Sequence, residues 1–169
     1  MADVTIQTTR FGSIKVPEER IISMEKPVLG FEKSKRFVII ELSDMLPFVW
    51  FQSFDDADLA FLMVNPALFY PEYKIEVNIK EVEDVELDEH SSVETYSIVT
   101  IADDPGKTTI NLQGPIVINV AVHKAKQLVL SQSSYSVCEP LLKVDQGLTR
   151  VAPGEALEET VSRVESSKL

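Results

Sequence analysis

The sequence has few of the residues from which reactive sites are usually built. Its 169 residues include one cysteine, two histidines and six glycines. The single cysteine, Cys138, cannot form an internal disulfide and is typical of a reducing compartment. His90 and His123 are far apart, whereas metal sites usually need His or Cys in spaced clusters. The scattered glycines form no phosphate-binding loop of the usual kind. We therefore predict no metal, no cofactor and no catalytic residue, so the protein is not expected to be an enzyme.

Long apolar runs are also absent. No run approaches the roughly 20 residues of a membrane helix. The first ten residues, MADVTIQTTR, have neither the basic nor the apolar part of a signal peptide. The apolar fraction of 44% is that of a folded soluble protein. We predict a cytoplasmic protein that does not bind membranes, with one folded domain over residues 1–145.

Basic residues are outnumbered by acidic ones, 16 to 27, which gives a net charge of −11. Such a surface repels phosphate backbones, so we expect no direct binding of nucleic acid. A basic protein partner fits the charge better, because complementary fields speed encounter. The simpler interpretation of the charge alone is that it keeps the protein in solution. The acidic excess is greatest over residues 72–94, which contain nine acidic and two basic residues.

What the sequence has in abundance is short β patterns. Residues 4–8 and 13–16 flank a turn at Phe11-Gly12 and predict a hairpin. Residues 74–80 alternate between apolar and polar and predict another strand, while residues 81–90 fit a helix or a strand equally well. About ten short strands with few helix signals predict an all-β fold, an antiparallel sandwich or barrel.

The composition changes near the C-terminus. Residues 146–169 contain helix formers but almost no apolar core residues. Leu157, Val161 and Val164 follow a helical spacing and form a narrow apolar stripe. We interpret this tail as either disordered or conditionally helical.

The aromatic residues are concentrated in residues 47–73, which hold the only tryptophan and five of the eight phenylalanines. Two apolar runs, residues 48–51 and 59–64, predict core strands on either side of an acidic turn with Asp55, Asp56 and Asp58. That turn lacks the spacing of a calcium loop and is better explained as a solvated hairpin turn. Residues 66–73 follow as a partly exposed shelf. Its aromatic side chains fit either a protein interface or a cap on the barrel core.

An ordered set of segments resembles the FliW flagellar assembly factor family. These segments span roughly residues 4–142: TTRFGSIKVPEERII, LGFEKSKRFVIIEL, PFVWFQSFDDADLAFLMVNPALFYPEY and SIVTIADDPGKTTINLQGPIVINVAVHKAKQLVL. The chain has Ala125, in a predicted turn, where the family commonly has glycine, and Gly114 where it often has alanine. We expect these differences to adjust turns without changing the fold.

The resemblance implies a small antiparallel β-barrel-like domain that acts by binding proteins. Members of this family bind flagellin and also CsrA, an RNA-binding translational repressor. When flagellin is exported, the freed factor binds CsrA. The resemblance implies that this binding acts allosterically and so relieves repression of flagellin translation. On this basis Asp55, Asp56 and Asp58 are candidates for contacting basic residues of CsrA. Phe69, Tyr70 and Tyr73 are candidates for apolar anchoring, and the protein is expected to be a monomer.

Two other functions remain open from the residues alone. A β-barrel can bind a small ligand or a sugar in its mouth, and a filled barrel would count against that function. A hydrolase that uses Cys138 or His123 has the least support, because no catalytic signature surrounds either residue.

Overall fold

The computed structural model describes residues 2–141. The predicted tail, residues 146–169, lies outside the described residues. No helix within residues 2–141 is long and apolar enough to span a membrane. The described chain contains eleven strands, in chain order β1 Asp3–Thr8, β2 Gly12–Pro17, β3 Ile22–Lys26, β4 Arg36–Ile40, β5 Val49–Ser53, β6 Ala60–Val64, β7 Val93–Thr100, β8 Thr109–Ile110, β9 Ile116–Asn119, β10 Lys124–Gln127 and β11 Glu139–Pro140.

Seven of these strands form a closed barrel. Their order is β7, β6, β5, β4, β3, β10 and β9, and β9 pairs with β7 to close the circle. All neighbours are antiparallel except β3 and β10, which are parallel. β8 and β11 extend the sheet beyond β7, and β1 pairs with β2 as a separate hairpin. The prediction of an all-β, barrel-like fold is therefore confirmed.

The barrel interior is filled by apolar side chains. Phe37 of β4 and Phe51 of β5 are fully buried and stack with ring centroids 4.4 Å apart. Residues face inward at alternate positions, as the period of a strand requires. Ala125 lies in β10 rather than in the predicted turn, and it is fully buried among the interior residues. The large side chains and the Ala125 methyl group together fill the barrel interior, which is a packed core.

Three segments cover apolar residues on the outer surface of the barrel. The β1–β2 hairpin lies over β5, where Arg10 and Phe11 contact the Trp50 ring at centroid distances of 4.2 and 6.0 Å. Residues 68–73 pack against Leu62 and other buried residues of β6, β7 and β8. Residues 73–87 pack against Val117 and the chain after β10. These contacts add two small apolar clusters outside the barrel.

The predicted strand over residues 74–80 is wrong. These residues form no sheet ladder, and a 3₁₀ helix, Ile79–Val85, begins at their end. The alternating pattern arises because one face of the segment is covered, although its backbone pairs with no strand. Ile75 and Val77 pack against the cluster that contains Val117, while the residues next to them in the chain are exposed. For residues 81–90, where the sequence left helix and strand open, the same 3₁₀ helix covers the first part; it ends at Val85 and is followed by Glu86, whose φ is 58°.

Candidate protein-binding surfaces

The acidic turn between β5 and β6 is held by its own carboxylates. Asp55 Oδ2 accepts hydrogen bonds from the backbone N–H groups of Lys35 and Arg36 at 2.8 and 2.9 Å. Its Oδ1 accepts two bonds from the Arg36 guanidinium, at 3.1 Å from Nε and 2.7 Å from Nη2. Burial raises the pKa of the Asp55 carboxyl, but these hydrogen bonds outweigh burial, so the net pKa is lowered. Asp55 therefore joins the turn to the start of β4.

The other two aspartates of the turn are also engaged. Asp56 accepts a bond from the Asp58 N–H at 2.9 Å, which closes an Asx turn. Asp58 accepts a bond from the Thr9 hydroxyl and so ties the turn to the β1–β2 hairpin. Beneath the turn, the buried Gln52 amide donates to the Ser53 carbonyl at 2.9 Å and to the Leu59 carbonyl at 3.1 Å. Asp56 and Asp58 each accept one hydrogen bond, whereas Asp55 accepts four.

The aromatic shelf after β6 is packed on one face. Phe69, Tyr70 and Tyr73 are half-buried against the outer cluster that contains Leu62 and Leu112. The Tyr70 hydroxyl donates to the Pro140 carbonyl, and the Tyr73 hydroxyl donates to the Leu112 carbonyl at 2.7 Å. Burial raises the pKa of both phenols, and a second cause is Glu139 near Tyr70 and Tyr135 near Tyr73. The shelf is thus anchored, with its remaining face exposed.

The three aspartates and three aromatic residues that were predicted to bind partners do not form one surface. The aspartates precede β6 and the aromatic residues follow it, so they lie at opposite ends of a five-residue strand. At about 3.3 Å per residue this strand is roughly 17 Å long. The structure brings the three aspartates together and the three aromatic residues together, but it separates the two groups.

The acidic segment, residues 72–94, is pinned to the barrel by buried polar side chains. Lys126 is almost fully buried; its ammonium group donates to the Glu81 carbonyl and to both Asp84 oxygens, the latter at 3.1 Å. Asn119 donates to the backbone carbonyls of Val85 and Glu86 at 2.9 and 3.1 Å. These bonds fix the 3₁₀ helix, and they hold a row of acidic residues against the sheet.

A groove lies between this segment and the chain that follows β10. Its volume is about 340 Å³, at the lower end of the range for ligand sites. Its walls carry three glutamates and one lysine, and Val129 is exposed within it. The groove residues are Glu72, Lys74, Glu76, Val77, Glu81, Val129, Leu130, Ser131, Gln132, Ser133, Ser134 and Tyr135.

The groove was not predicted from the sequence, because its two walls are about 50 residues apart. One signal pointed to half of it, namely the acidic excess over residues 72–94. Nothing in residues 129–135 shows that they lie beside that segment. The Lys74 N–H donates to the Tyr135 hydroxyl at 3.1 Å, and the rings of Tyr73 and Tyr135 are 4.7 Å apart. These contacts join the walls and place the groove next to the aromatic shelf.

The remaining reactive residues have local partners. Cys138 is exposed, with its sulfur 3.4 Å from the Ser136 hydroxyl. His123 lies in the β9–β10 turn with φ of 54°, and its N–H donates to the Asn119 carbonyl at 2.9 Å. Within residues 2–141 no three His, Cys, Asp or Glu side chains are grouped so that they could hold a metal ion.

Comparison with known proteins gives one consistent result. Residues 5–141 match the FliW protein family. The flagellar assembly factor FliW of Syntrophus aciditrophicus is 42% identical over 138 residues, which cover 82% of this chain and 87% of that protein. The FliW of Geobacter sulfurreducens is 37% identical over 152 residues, covering 90% and 94%. A crystal structure of the flagellar assembly factor FliW aligns with a TM-score of 0.77 at 33% identity, covering 83% of this chain and 98% of that one. The chain therefore belongs to the FliW family.

Proposed function

We propose that this chain is a flagellar assembly factor that binds flagellin and the translational repressor CsrA alternately. While flagellin is abundant it occupies the factor, and CsrA represses flagellin translation. When flagellin is exported, the free factor binds CsrA and relieves the repression. The proposal is supported first by family membership, because the similar proteins are named flagellar assembly factors. We propose further that the chain acts in the cytoplasm, as a monomer and without catalysis.

The observation that best supports a basic partner is the distribution of charge. Residues 2–40 contain five acidic and seven basic residues, whereas residues 41–141 contain 17 acidic and five basic residues. The acidic excess therefore belongs to the second part of the described chain, which includes the groove and the acidic turn. A repressor that binds RNA needs a basic surface of its own. Complementary fields would speed its association with this chain, while RNA itself would be repelled.

Relief of repression requires more than contact with CsrA. For allosteric antagonism, the factor must bind the RNA-incompetent form of CsrA more tightly than the RNA-competent form. A preference of about 1.4 kcal/mol shifts that equilibrium tenfold. The fixed backbone around the groove and the acidic turn suits this role, because a preformed surface loses little entropy on binding.

A small ligand in the barrel mouth has less support. Phe37, Phe51 and Met63 are fully buried in the interior, so side chains take up the space that such a ligand would need. The groove lies outside the barrel, and its walls carry charges of mainly one sign. These features favour a charged protein segment over a sugar.

The proposal is tested by calorimetry with the full chain and with flagellin and CsrA from the same organism. We expect saturable binding to each protein, and no binding of CsrA once the chain is saturated with flagellin. A chain that binds neither protein at high micromolar concentration would refute the function. A chain that binds both at once would refute alternate occupancy.

A further inference from the structure

We infer that the groove between residues 72–81 and 129–135 is a docking site for a basic segment of a partner protein that carries apolar side chains. The inference rests on the proposed function, since that function supplies a protein as the occupant. It adds the place of contact and the chemistry of the segment. The groove is separate from the acidic turn, which lies at the other end of β6.

Charge decides which kind of segment fits. The walls carry Glu72, Glu76 and Glu81 against the single ammonium group of Lys74. No ion pair neutralises these glutamates within residues 2–141. A lysine or arginine from a partner would find unpaired carboxylates there, whereas an acidic peptide or a nucleic acid would be repelled.

The groove also exposes apolar surface, which favours an apolar side chain in the segment that binds. Val129 is 54% exposed although both of its neighbours, Leu128 and Leu130, are buried. Val77 lies on the opposite wall, packed against the cluster beneath it. An aliphatic side chain between Val77 and Val129 would cover the exposed parts of both from water, which favours binding.

Hydrogen bonds within the chain already hold the walls of the groove in the absence of a partner. The Leu130 N–H donates to the Gln113 carbonyl at 2.8 Å, and the Ser133 hydroxyl donates to the Leu130 carbonyl at 2.7 Å. Lys126 fixes Glu81 from the other side. Binding therefore requires little ordering of the groove itself, which favours specific recognition.

The inference can be tested with a 12-residue peptide that carries four lysines and four leucines, and with a counterpart that has glutamate in place of lysine. We expect amide shifts in nitrogen-15 NMR spectra of the full chain to centre on residues 129–135 and on Val77, with the basic peptide only. Shifts centred on Asp55, Asp56 and Asp58, or shifts that do not saturate, would overturn the inference.

Matched variants separate specific docking from general attraction. The double variant Glu72→Lys/Glu76→Lys should weaken peptide binding about tenfold or more in fluorescence anisotropy. Glu18→Lys/Glu19→Lys changes the net charge equally, on exposed residues of the 3₁₀ helix Glu18–Arg20. Its affinity should change less than twofold, and equal losses in both variants would overturn the inference.

A second pair of variants tests the apolar contact. Val129→Ser should weaken binding of the basic peptide by about threefold. Val137→Ser, at an exposed valine outside the groove, should leave the affinity for the peptide unchanged. Equal affinity of Val129→Ser and the wild-type chain would overturn the apolar part of the inference.

The same groove variants distinguish this inference from the proposed function. If the wild-type chain binds flagellin and CsrA, and Glu72→Lys/Glu76→Lys binds both equally well, the docking site is refuted while the function stands. If the wild-type chain binds neither protein, the function is refuted, and a protein partner for the groove is refuted with it.

Discussion

Replacing Asp55 by alanine should destabilise the fold, because this carboxylate is a structural clamp. The change removes the acceptor of two backbone N–H bonds, from Lys35 and Arg36, and of two bonds from the Arg36 guanidinium. The start of β4 then loses its connection to the acidic turn. The sequence indicated a partner-binding residue at this position, and such a residue would have little effect on stability.

The size of the effect follows from the exposure of the groups. The side chains of Arg36 and Asp55 are 51% and 22% exposed, so their ion pair contributes only about 0.2–1 kcal/mol. The two backbone bonds resemble a helix N-cap, where removal of the acceptor costs about 0.5–2 kcal/mol. Together these give a loss of about 2 kcal/mol in the free energy of unfolding. With a urea m-value of about 2 kcal/mol/M, the midpoint should fall by about 1 M.

The assay is urea unfolding of the full chain at pH 7, with Asp56→Ala as the control. Asp56 is exposed and accepts one bond from the Asp58 N–H, so its replacement should cost no more than about 0.5 kcal/mol, as is usual for surface substitutions. An unchanged midpoint for Asp55→Ala, or equal losses in the two variants, would refute the clamp.

The pH dependence offers a second check on Asp55. Its pKa in the folded protein is below the ordinary value of 3.8, because hydrogen bonds from Lys35 and Arg36 outweigh the opposing effect of burial. A lowered pKa gives stability that is complete above the unfolded value and is lost as the pH falls through the folded value. The gap between wild type and Asp55→Ala should therefore be constant around neutral pH and shrink below pH 3.8. A gap that grows in acid would contradict this account.

Three further predictions concern the aromatic shelf, the acidic turn and the pinned segment. Tyr70→Ala should weaken binding of one protein partner by about 1–3 kcal/mol in calorimetry, the range of an aromatic anchor, and unchanged affinity for both partners in a folded variant would contradict this. Asp56→Lys should slow association with CsrA at low salt and reduce its salt dependence in stopped-flow experiments; an equal on-rate would count against it. Asn119→Ala should lower the free energy of unfolding by about 1–3 kcal/mol, since buried carbonyls lose their donor. Asn78→Ala, at the exposed cap of the same 3₁₀ helix, should cost about 0.5–1 kcal/mol; equal losses would mean that Asn119 does not pin the segment.

Local patterns were enough to predict much of the barrel. Residues 48–51 and 59–64 were predicted as strands and correspond to β5 and β6. Burial and pairing agree there, because apolar residues alternate between the interior and a covered outer face. The turn at Phe11-Gly12 was also predicted, since Gly12 has a positive φ of 71° that glycine tolerates.

Residues 74–80 show where the same reasoning fails. Their alternation predicts one face with Ile75, Val77 and Ile79; the first two are half-buried, but Ile79 is exposed. The alternation also cannot tell whether a neighbouring strand is available. Every strand of the barrel already has at least two partners in the closed sheet or its extension, so this segment packs on the outside without a ladder. Pairing depends on the whole fold, and periodicity reports only burial.

The candidate surfaces were harder to predict for a related reason. Charge and aromatic content pointed to Asp55 and Tyr70, but an exposed charge and a structural clamp look alike in a sequence. Only the contacts of Asp55 with Lys35 and Arg36 distinguish them. The groove depends on two segments that meet through Lys74 and Tyr135, and a single sequence contains no sign of that contact.

The separation of the two groups of candidate residues bears on how two partners would exclude each other. A standard interface covers about 800 Å² on each protein, which is a patch with a radius of about 16 Å. The acidic turn and the aromatic shelf are separated by β6, a strand of roughly 17 Å. Two such patches, one centred at each end of β6, would overlap over about a third of their area. Steric overlap alone would therefore make flagellin and CsrA compete for this chain, with no change in its own conformation, even where the effect on CsrA is allosteric.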